Sequence, residues 1–267
     1  MTGNGTQETP YIPENWADFV TACETSGAYV SVPQGTVYEF NEIAPAGFSG
    51  TITVKALKIE GNGLIINNLR KTGNTFLSVP YGAYPKIYDI NFTNMYFTDG
   101  TFSYTNNNYN SAIYFYHCKA SGEFYGSSIF CSGGKHCFEE ISGTGKGCSL
   151  NLKFAENSRF FYYGYSATLS ISNGNVKLSG TSTGTNNTIT TAKDSQFTGK
   201  MPFSSVAFST ADRCIFDMDI ENISSNGGTS VLNSDKISGT QTGFLTADSK
   251  QIRNAEYLRN IGFPIGV

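Results

Sequence analysis

From residue 112 onward an apolar residue followed by Ser or Thr and then Gly keeps returning, and this recurrence constrains the fold more than any other feature of the chain. It stands at Ala120-Ser121-Gly122, Ile141-Ser142-Gly143, Leu178-Ser179-Gly180, Phe197-Thr198-Gly199 and Ile237-Ser238-Gly239, with degraded turns at Phe160 and Phe216. Successive anchors are 21, 19, 18, 19, 19 and 21 residues apart, a mean of 19.5. A period near twenty suits one coil of a parallel β-helix. A single coil cannot bury its apolar side alone, whereas stacking at about 4.8 Å lines equivalent side chains into ladders. Leucine-rich repeats have a similar period, but their asparagine ladder and leucine density are missing. The expected fold is therefore all-β: a right-handed single-stranded parallel β-helix of about ten coils.

Two residues before the anchors stand Cys118, Glu139, Ser158, Val176, Ser195, Cys214 and Asp235, a loosely matched column of mostly small or polar residues. Upstream the repeat is less regular, but β segments are expected at Tyr29 to Val32, Thr51 to Val54, Leu64 to Asn67, Phe76 to Val79 and Ile87 to Phe97. Alternation turns Ile90 and Phe92 inward. The polar stretch from Asp99 to Ser111 reads as a protruding loop. Both ends of such a stack expose unpaired edges. Residues 14 to 25 read as a capping helix with Trp16, Phe19 and Cys23 inward, and a second helix is expected from a Thr246 cap through Ile252, Ala255, Leu258 and Ile261 to Gly262. The chain thus divides into a lead-in and capping helix (1–28), a β-helix (29–240) and a C-terminal helix and tail (241–267).

Charged residues make up 15% of the chain, so Ser, Thr, Asn and Gly carry its polarity, as turn-rich β structure requires. A net charge of -3 with scattered basic residues leaves no stripe to hold a nucleic-acid backbone. Neither an export signal nor an apolar run long enough to span a membrane is evident, so a chain that is neither exported through a signal peptide nor membrane-spanning is expected. The six cysteines (Cys23, Cys118, Cys131, Cys137, Cys148 and Cys214) are expected to be reduced and mostly buried.

The segment from Gly3 to Val20, GNGTQETPYIPENWADFV, resembles the lead-in and short helix that open many bacterial and phage β-helix proteins. Gly27 to Gly35 (GAYVSVPQG) resembles the first strand and turn of the pectin-lyase-like superfamily. Ile252 to Val267 (IRNAEYLRNIGFPIGV) resembles the C-terminal tail of phage or prophage structural proteins from gut bacteria. What the resemblance implies is a virion component, as a tail spike, fibre or head-decorating protein. Such a component is oligomeric, most simply a homotrimer, contacts other virion proteins and touches host surface glycans.

Enzymes of that superfamily leave traces in sequence. The aspartates, Gly-His-Gly and Arg-x-Lys of polygalacturonase-like hydrolases are missing, and no cofactor or metal is expected. The nearest approach to a catalytic cluster is Asp217, Asp219 and Glu221, which alternation places together outside while Phe216, Met218 and Ile220 face in. These carboxylates could serve a polysaccharide lyase or glycoside hydrolase, or simply form an acidic solvated face. His117 and His136, 19 residues apart, are expected as stacked surface imidazoles beside buried thiols. Aromatic runs at Tyr114-Phe115-Tyr116 and Phe160-Phe161-Tyr162-Tyr163 must turn alternate rings outward. Outward rings such as Phe161 and Tyr163 suit either a glycan, together with Asp217 and Asp219, or a subunit interface. The expectation drawn from all this is a non-enzymatic structural and adhesion protein, with a glycan depolymerase as the alternative.

Overall fold

The structure, a computed structural model, describes residues 1–40, 50–105, 110–126, 128–131, 135–139, 147–156, 159–161, 168–183 and 188–263. Strands dominate, every pair of named strands is parallel, and two α-helices accompany them, α1 (Trp16–Glu24) and α2 (Ala255–Asn260). This all-β parallel architecture is compatible with a β-helix.

One ladder runs the length of the described chain. Tyr38, Ile66, Phe92, Ala120, Leu150, Val176, Phe197, Phe216, Leu232 and Thr246 stand in register, each the partner of the next. All but Thr246 are buried. A second ladder joins Val30, Ile59, Ile87, Phe115, Phe138, Ile171, Ala192 and Ala211, all buried. A third sheet holds five strands, Ile52–Thr53, Thr75–Val79, Thr101–Thr105, Ser128–Cys131 and Arg159–Phe161. The three share one apolar core. Inside it, phenylalanines of adjacent rungs stack face to face: Phe97 on Phe124 at 5.2 Å, Phe115 on Phe138 at 4.8 Å and Phe197 on Phe216 at 4.6 Å. These distances follow the spacing between strands, so ring stacking adds about 0.5–1.5 kcal/mol per pair to the burial of each ring.

The register corrects the expected repeat. Along the first ladder the intervals are 28, 26, 28, 30, 26, 21, 19, 16 and 14 residues, so there is no constant period. Ala120, Phe197 and Phe216 do share a column. Ala120, however, pairs with Leu150, and Leu178 pairs with Leu152 and Gly199, two positions out of step. The expected anchor Ile141 lies outside the described residues. The third sheet explains the drift: its last strand ends at Phe161, and rungs beyond Val176 are shorter. The interior column Phe97, Phe124 and Phe154 ends at the same level on Gly180.

What does recur is the corner between the first two ladders. Ile87 and Phe92, Phe115 and Ala120, Ile171 and Val176, Ala192 and Phe197, and Ala211 and Phe216 are each five residues apart, with a left-handed residue between them. That residue is Asp89, His117, Asn173, Asp194 or Arg213, with φ of 47–52°. Asp and Asn tolerate this region best among residues with a Cβ. A small buried residue follows at most of these corners. The N–H groups of Ser149, Asn175, Gln196, Ile215 and Val231 donate to the carbonyls of Cys118, Cys148, Gly174, Ser195 and Cys214 on the preceding rung. Cys23, Cys118, Cys137, Cys148 and Cys214 are free and buried, and the side chain of Cys131 lies outside the described part. Burial pushes the Cys148 thiol up to about 12 and that of Cys214 to about 11, which leaves both protonated at neutral pH.

The expected stacking of the histidines is also corrected. His117 sits half-exposed at a corner, its Nδ1 2.5 Å from Asp89 Oδ1. His136 is fully buried, in register with Ile113 and Leu169, its Nε2 3.5 Å from Thr105 Oγ1. Rungs in this part of the chain are longer than 19 residues, so that spacing does not bring equivalent positions together.

At the N-terminal end α1 covers the first rungs. Asn15 caps it by accepting from the Asp18 N–H, and Trp16, Phe19, Ala22 and Cys23 are buried, with Trp16 4.9–5.0 Å from the rings of Tyr38 and Phe40. At the other end the helix is shorter than expected. Thr246 belongs to the strand Leu245–Ala247, paired with Leu232, and α2 begins after an Asn254 cap. Ile252, Leu258 and Phe263 pack with Val231 and Ala247 in a second, small core. Since Val231 and Ala247 flank the inward Leu232 and Thr246, α2 lies along the outer side of the last strands and leaves their far edge open. The stretch expected as a loop from Asp99 to Ser111 contains the strand Thr101–Thr105, and residues 106–109 lie outside the described part. Among the described residues no helix is long and apolar enough to cross a membrane.

Candidate functional site

Inward positions are filled by packing, so chemistry is available on the outward positions of the same strands. Next to buried Ile87 and Phe115, alternation turns Tyr88, Tyr114 and Tyr116 outward, as expected for the Tyr114-Phe115-Tyr116 run. Register places Tyr88 opposite Tyr116. Their rings stack at 4.6 Å with an interplanar angle of 13°, and Tyr114 and Tyr116 are near-parallel with centroids 6.2 Å apart. On its other side Tyr88 has the Lys58 ammonium 4.9 Å from the ring centre, and Lys58 is ion-paired with Glu60. Burial raises all three phenols, Tyr116 to about 12, so they remain protonated at neutral pH. Just ahead of these strands Leu57, Tyr81 and Tyr84 are 49%, 59% and 46% exposed. Because the Tyr88–Tyr116 stack occupies ring faces, this patch presents ring edges and hydroxyls outward. Such a surface fits a flat partner better than a sugar that must lie on an open ring face.

A second outward group crosses the neighbouring sheet. Arg70 lies 5.3 Å from the centre of the Tyr96 ring, which contacts Tyr125 at 5.0 Å. The Tyr125 hydroxyl donates to Glu123 at 2.5 Å and Lys153 pairs with the same carboxylate at 3.2 Å. The Tyr125 bond is the main reason the Glu123 carboxyl is held low; slight burial opposes it and Lys153 adds to it. Sequence reasoning missed this group. Its signal was present in the alternation of Met95-Tyr96-Phe97 and Phe124-Tyr125, but the partners come from rungs whose register was misread.

The acidic strand Ile215–Asp219 has the expected alternation, with Phe216, Met218 and Ile220 buried and Asp219 and Glu221 exposed. The Asp217 carboxylate is already engaged. Lys236 Nζ lies 2.9 Å from Oδ1, Asn233 Nδ2 donates to Oδ1 at 2.7 Å and Arg253 Nε to Oδ2 at 3.1 Å. Burial alone would raise this carboxyl, but the bonds from Lys236, Asn233 and Arg253 outweigh it and hold the group below the ordinary carboxylate range. An ionised, cross-linked carboxylate is poorly placed to donate a proton. Among the described residues no group of three or more His, Cys, Asp or Glu side chains could hold a metal ion. Phe161 ends the last strand of the third sheet, in register with Phe130, while its side chain, like the whole of Tyr163, lies outside the described residues.

Compared with known proteins, the chain matches no family model, no curated sequence and no solved structure.

Proposed function

We propose that the chain is a right-handed single-stranded parallel β-helix of about ten coils and serves as a non-enzymatic structural and adhesion component of a phage or prophage virion. The coil reading is supported by the unbroken ten-residue register and by the single core between the ladders. The virion reading is supported by the resemblance of the two terminal segments. The observation that carries the structural role is the outward tyrosine patch, with Tyr88 stacked on Tyr116 and exposed Leu57, Tyr81 and Tyr84 beside it. Tyrosine-rich, edge-on surfaces of this kind are enriched at subunit interfaces. We take it as the lateral contact of a homo-oligomer, most simply a trimer, and host glycans as ligands of the outer surface of that assembly.

The test is the solution mass of the wild type against Tyr88→Ala/Tyr116→Ala. Truncating two interfacial tyrosines removes about 2 kcal/mol or more each, which is expected to dissociate the lateral assembly. An unchanged mass would remove the patch from the interface. Release of reducing or unsaturated sugar from a host capsule, lost on Asp219→Ala, would overturn the non-enzymatic reading in favour of a depolymerase.

A further inference from the structure

Asn-Gly stands four times in the chain, at Asn4-Gly5, Asn62-Gly63, Asn173-Gly174 and Asn226-Gly227. The backbone nitrogen that follows an Asn lies within reach of its side-chain carbonyl carbon, and a glycine there puts no Cβ in the way of attack. Attack requires the side chain to swing onto that nitrogen and the N–H to give up its proton, so hydrogen bonds to either group hold the reaction back. Three of the four pairs are tied in this way. Asn4 Oδ1 accepts from the Thr6 N–H at 3.2 Å and the Thr6 hydroxyl at 3.0 Å, while the Gly5 N–H donates to the Thr9 carbonyl at 3.1 Å. Asn62 Nδ2 donates to the Val32 carbonyl at 2.8 Å and the Ser31 hydroxyl at 3.3 Å. Buried Gly174 donates its N–H to Ser195 Oγ at 3.0 Å. Asn226 differs. It is exposed in the bend after the strand Asn222–Ser225, and among the described residues neither its side-chain amide nor the Gly227 N–H has a hydrogen-bond partner. The bonds that anchor this bend fall on other atoms. The Asn226 N–H donates to the Phe208 carbonyl at 3.2 Å, and the Gly227 carbonyl accepts from the Ala211 N–H at 2.9 Å and from Ser225 Oγ at 2.8 Å. Between these anchors the peptide group that joins Asn226 to Gly227 makes no bond among the described residues.

We infer that Asn226 is a site of spontaneous deamidation and isoaspartate formation. The Gly227 nitrogen attacks Asn226 Cγ. A new C–N bond forms, the Cγ–Nδ2 bond breaks, and ammonia leaves with the proton of the Gly227 N–H, giving a five-membered succinimide. Water then opens the ring at either carbonyl, to aspartate or to isoaspartate, in which the main chain runs through the side-chain carbon. Each event adds one negative charge to a chain whose net charge is -3. The charge appears on the turn that also reaches Asp212, whose Oδ1 lies 3.4 Å from the Thr229 nitrogen. The isoaspartate form inserts an extra main-chain carbon between the two anchors, so the bond to Phe208 and the bond from Ala211 no longer fit together.

The experiment ages the full chain at mildly alkaline pH, folded and in urea, and follows ammonia loss by mass spectrometry of tryptic peptides. Cleavage after Lys and Arg puts the four pairs on four different peptides. In urea all four are expected to react at similar rates, because the same dipeptide then lacks the ties of the fold. In the folded protein Asn226 is expected to stay within about threefold of its urea rate while the other three slow about tenfold or more, tenfold being the 1.4 kcal/mol that one or two hydrogen bonds supply. This comparison uses the wild type and needs no variant. A second arm uses Gly227→Ala, whose Cβ would meet only Thr210 Oγ1 at 3.6 Å and the Ser209 carbonyl at 3.7 Å, ordinary contacts that leave the fold intact. The added methyl obstructs attack, so Gly227→Ala is expected to remove the acidic form that aged wild type accumulates on anion exchange. A folded rate at Asn226 suppressed as far as at the other three pairs overturns the inference. So does faster loss at Asn4, Asn62 or Asn173.

Discussion

Gly180→Ala is expected to destabilise the protein by about 3 kcal/mol, a fall in thermal midpoint of roughly 6–12 °C for a chain of this size. Two causes add. Gly180 has φ +92°, a conformation that penalises any side chain, and a Cβ there would lie 2.0 Å from the Phe154 carbonyl oxygen of the neighbouring rung. That oxygen is backbone within a ladder and cannot move without shifting the rung. Gly63 separates the two causes: its φ is +84°, but nothing lies within 4 Å of its Cβ position. Gly63→Ala should therefore cost only the dihedral term, about 1–2 kcal/mol. Calorimetry on the pair reads the difference. Equal midpoints would mean that the close approach to Phe154 carries no weight.

Asp217→Ala is expected to free the C-terminal segment while the rest of the stack stays folded. The carboxylate ties Lys236 and Arg253 to the strand Ile215–Asp219, and the segment it secures covers Val231 and Ala247 with Ile252, Leu258 and Phe263. Removing a hydrogen-bonded charge of this kind costs about 2 kcal/mol, which raises the open population roughly 30-fold. Limited proteolysis should then cut between residues 248 and 263 at a correspondingly higher rate, with the main melting transition little changed. Asp219→Ala, on the same face but exposed, should leave the rate at wild type. The linkage has a definite sign. Because the folded Asp217 carboxyl is held below its unfolded value, its contribution is complete above the unfolded value of about 4 and is lost as pH falls through the folded one. Acid should therefore loosen the wild-type segment below about pH 4 and have far less effect in Asp217→Ala. A cleavage rate that rises equally in both would assign the effect to other carboxylates.

The parts of the fold legible in the sequence were those set by short-range pattern. The capping helix followed from Trp16, Phe19 and Cys23 on one face, and the outward tyrosines from alternation around Phe115. The ladder was harder to read, because its rungs differ in length while a repeat search assumes one period. A better signal lay in the corners, where two inward residues are five apart in five of the eight rungs that the first two ladders share. The left-handed residue between them is Asp, His, Asn, Asp or Arg, which share a backbone conformation and no side-chain chemistry, so the motif leaves no letter pattern. Ser-Gly pairs such as Ser179-Gly180 drew attention instead, and their glycines do have a structural cause, as the close approach to Phe154 makes plain. The Arg70, Tyr96, Glu123 and Lys153 group could not be assembled without the register that joins them across rungs.

The shrinking intervals along the first ladder have a mechanical consequence. Pulled from its C-terminus, the protein should come apart rung by rung. The first rung releases 14 residues, about 50 Å of chain, and the longest releases 30, about 100 Å. In an optical trap the extension trace should read as a staircase whose treads lengthen as unfolding proceeds toward the middle of the molecule.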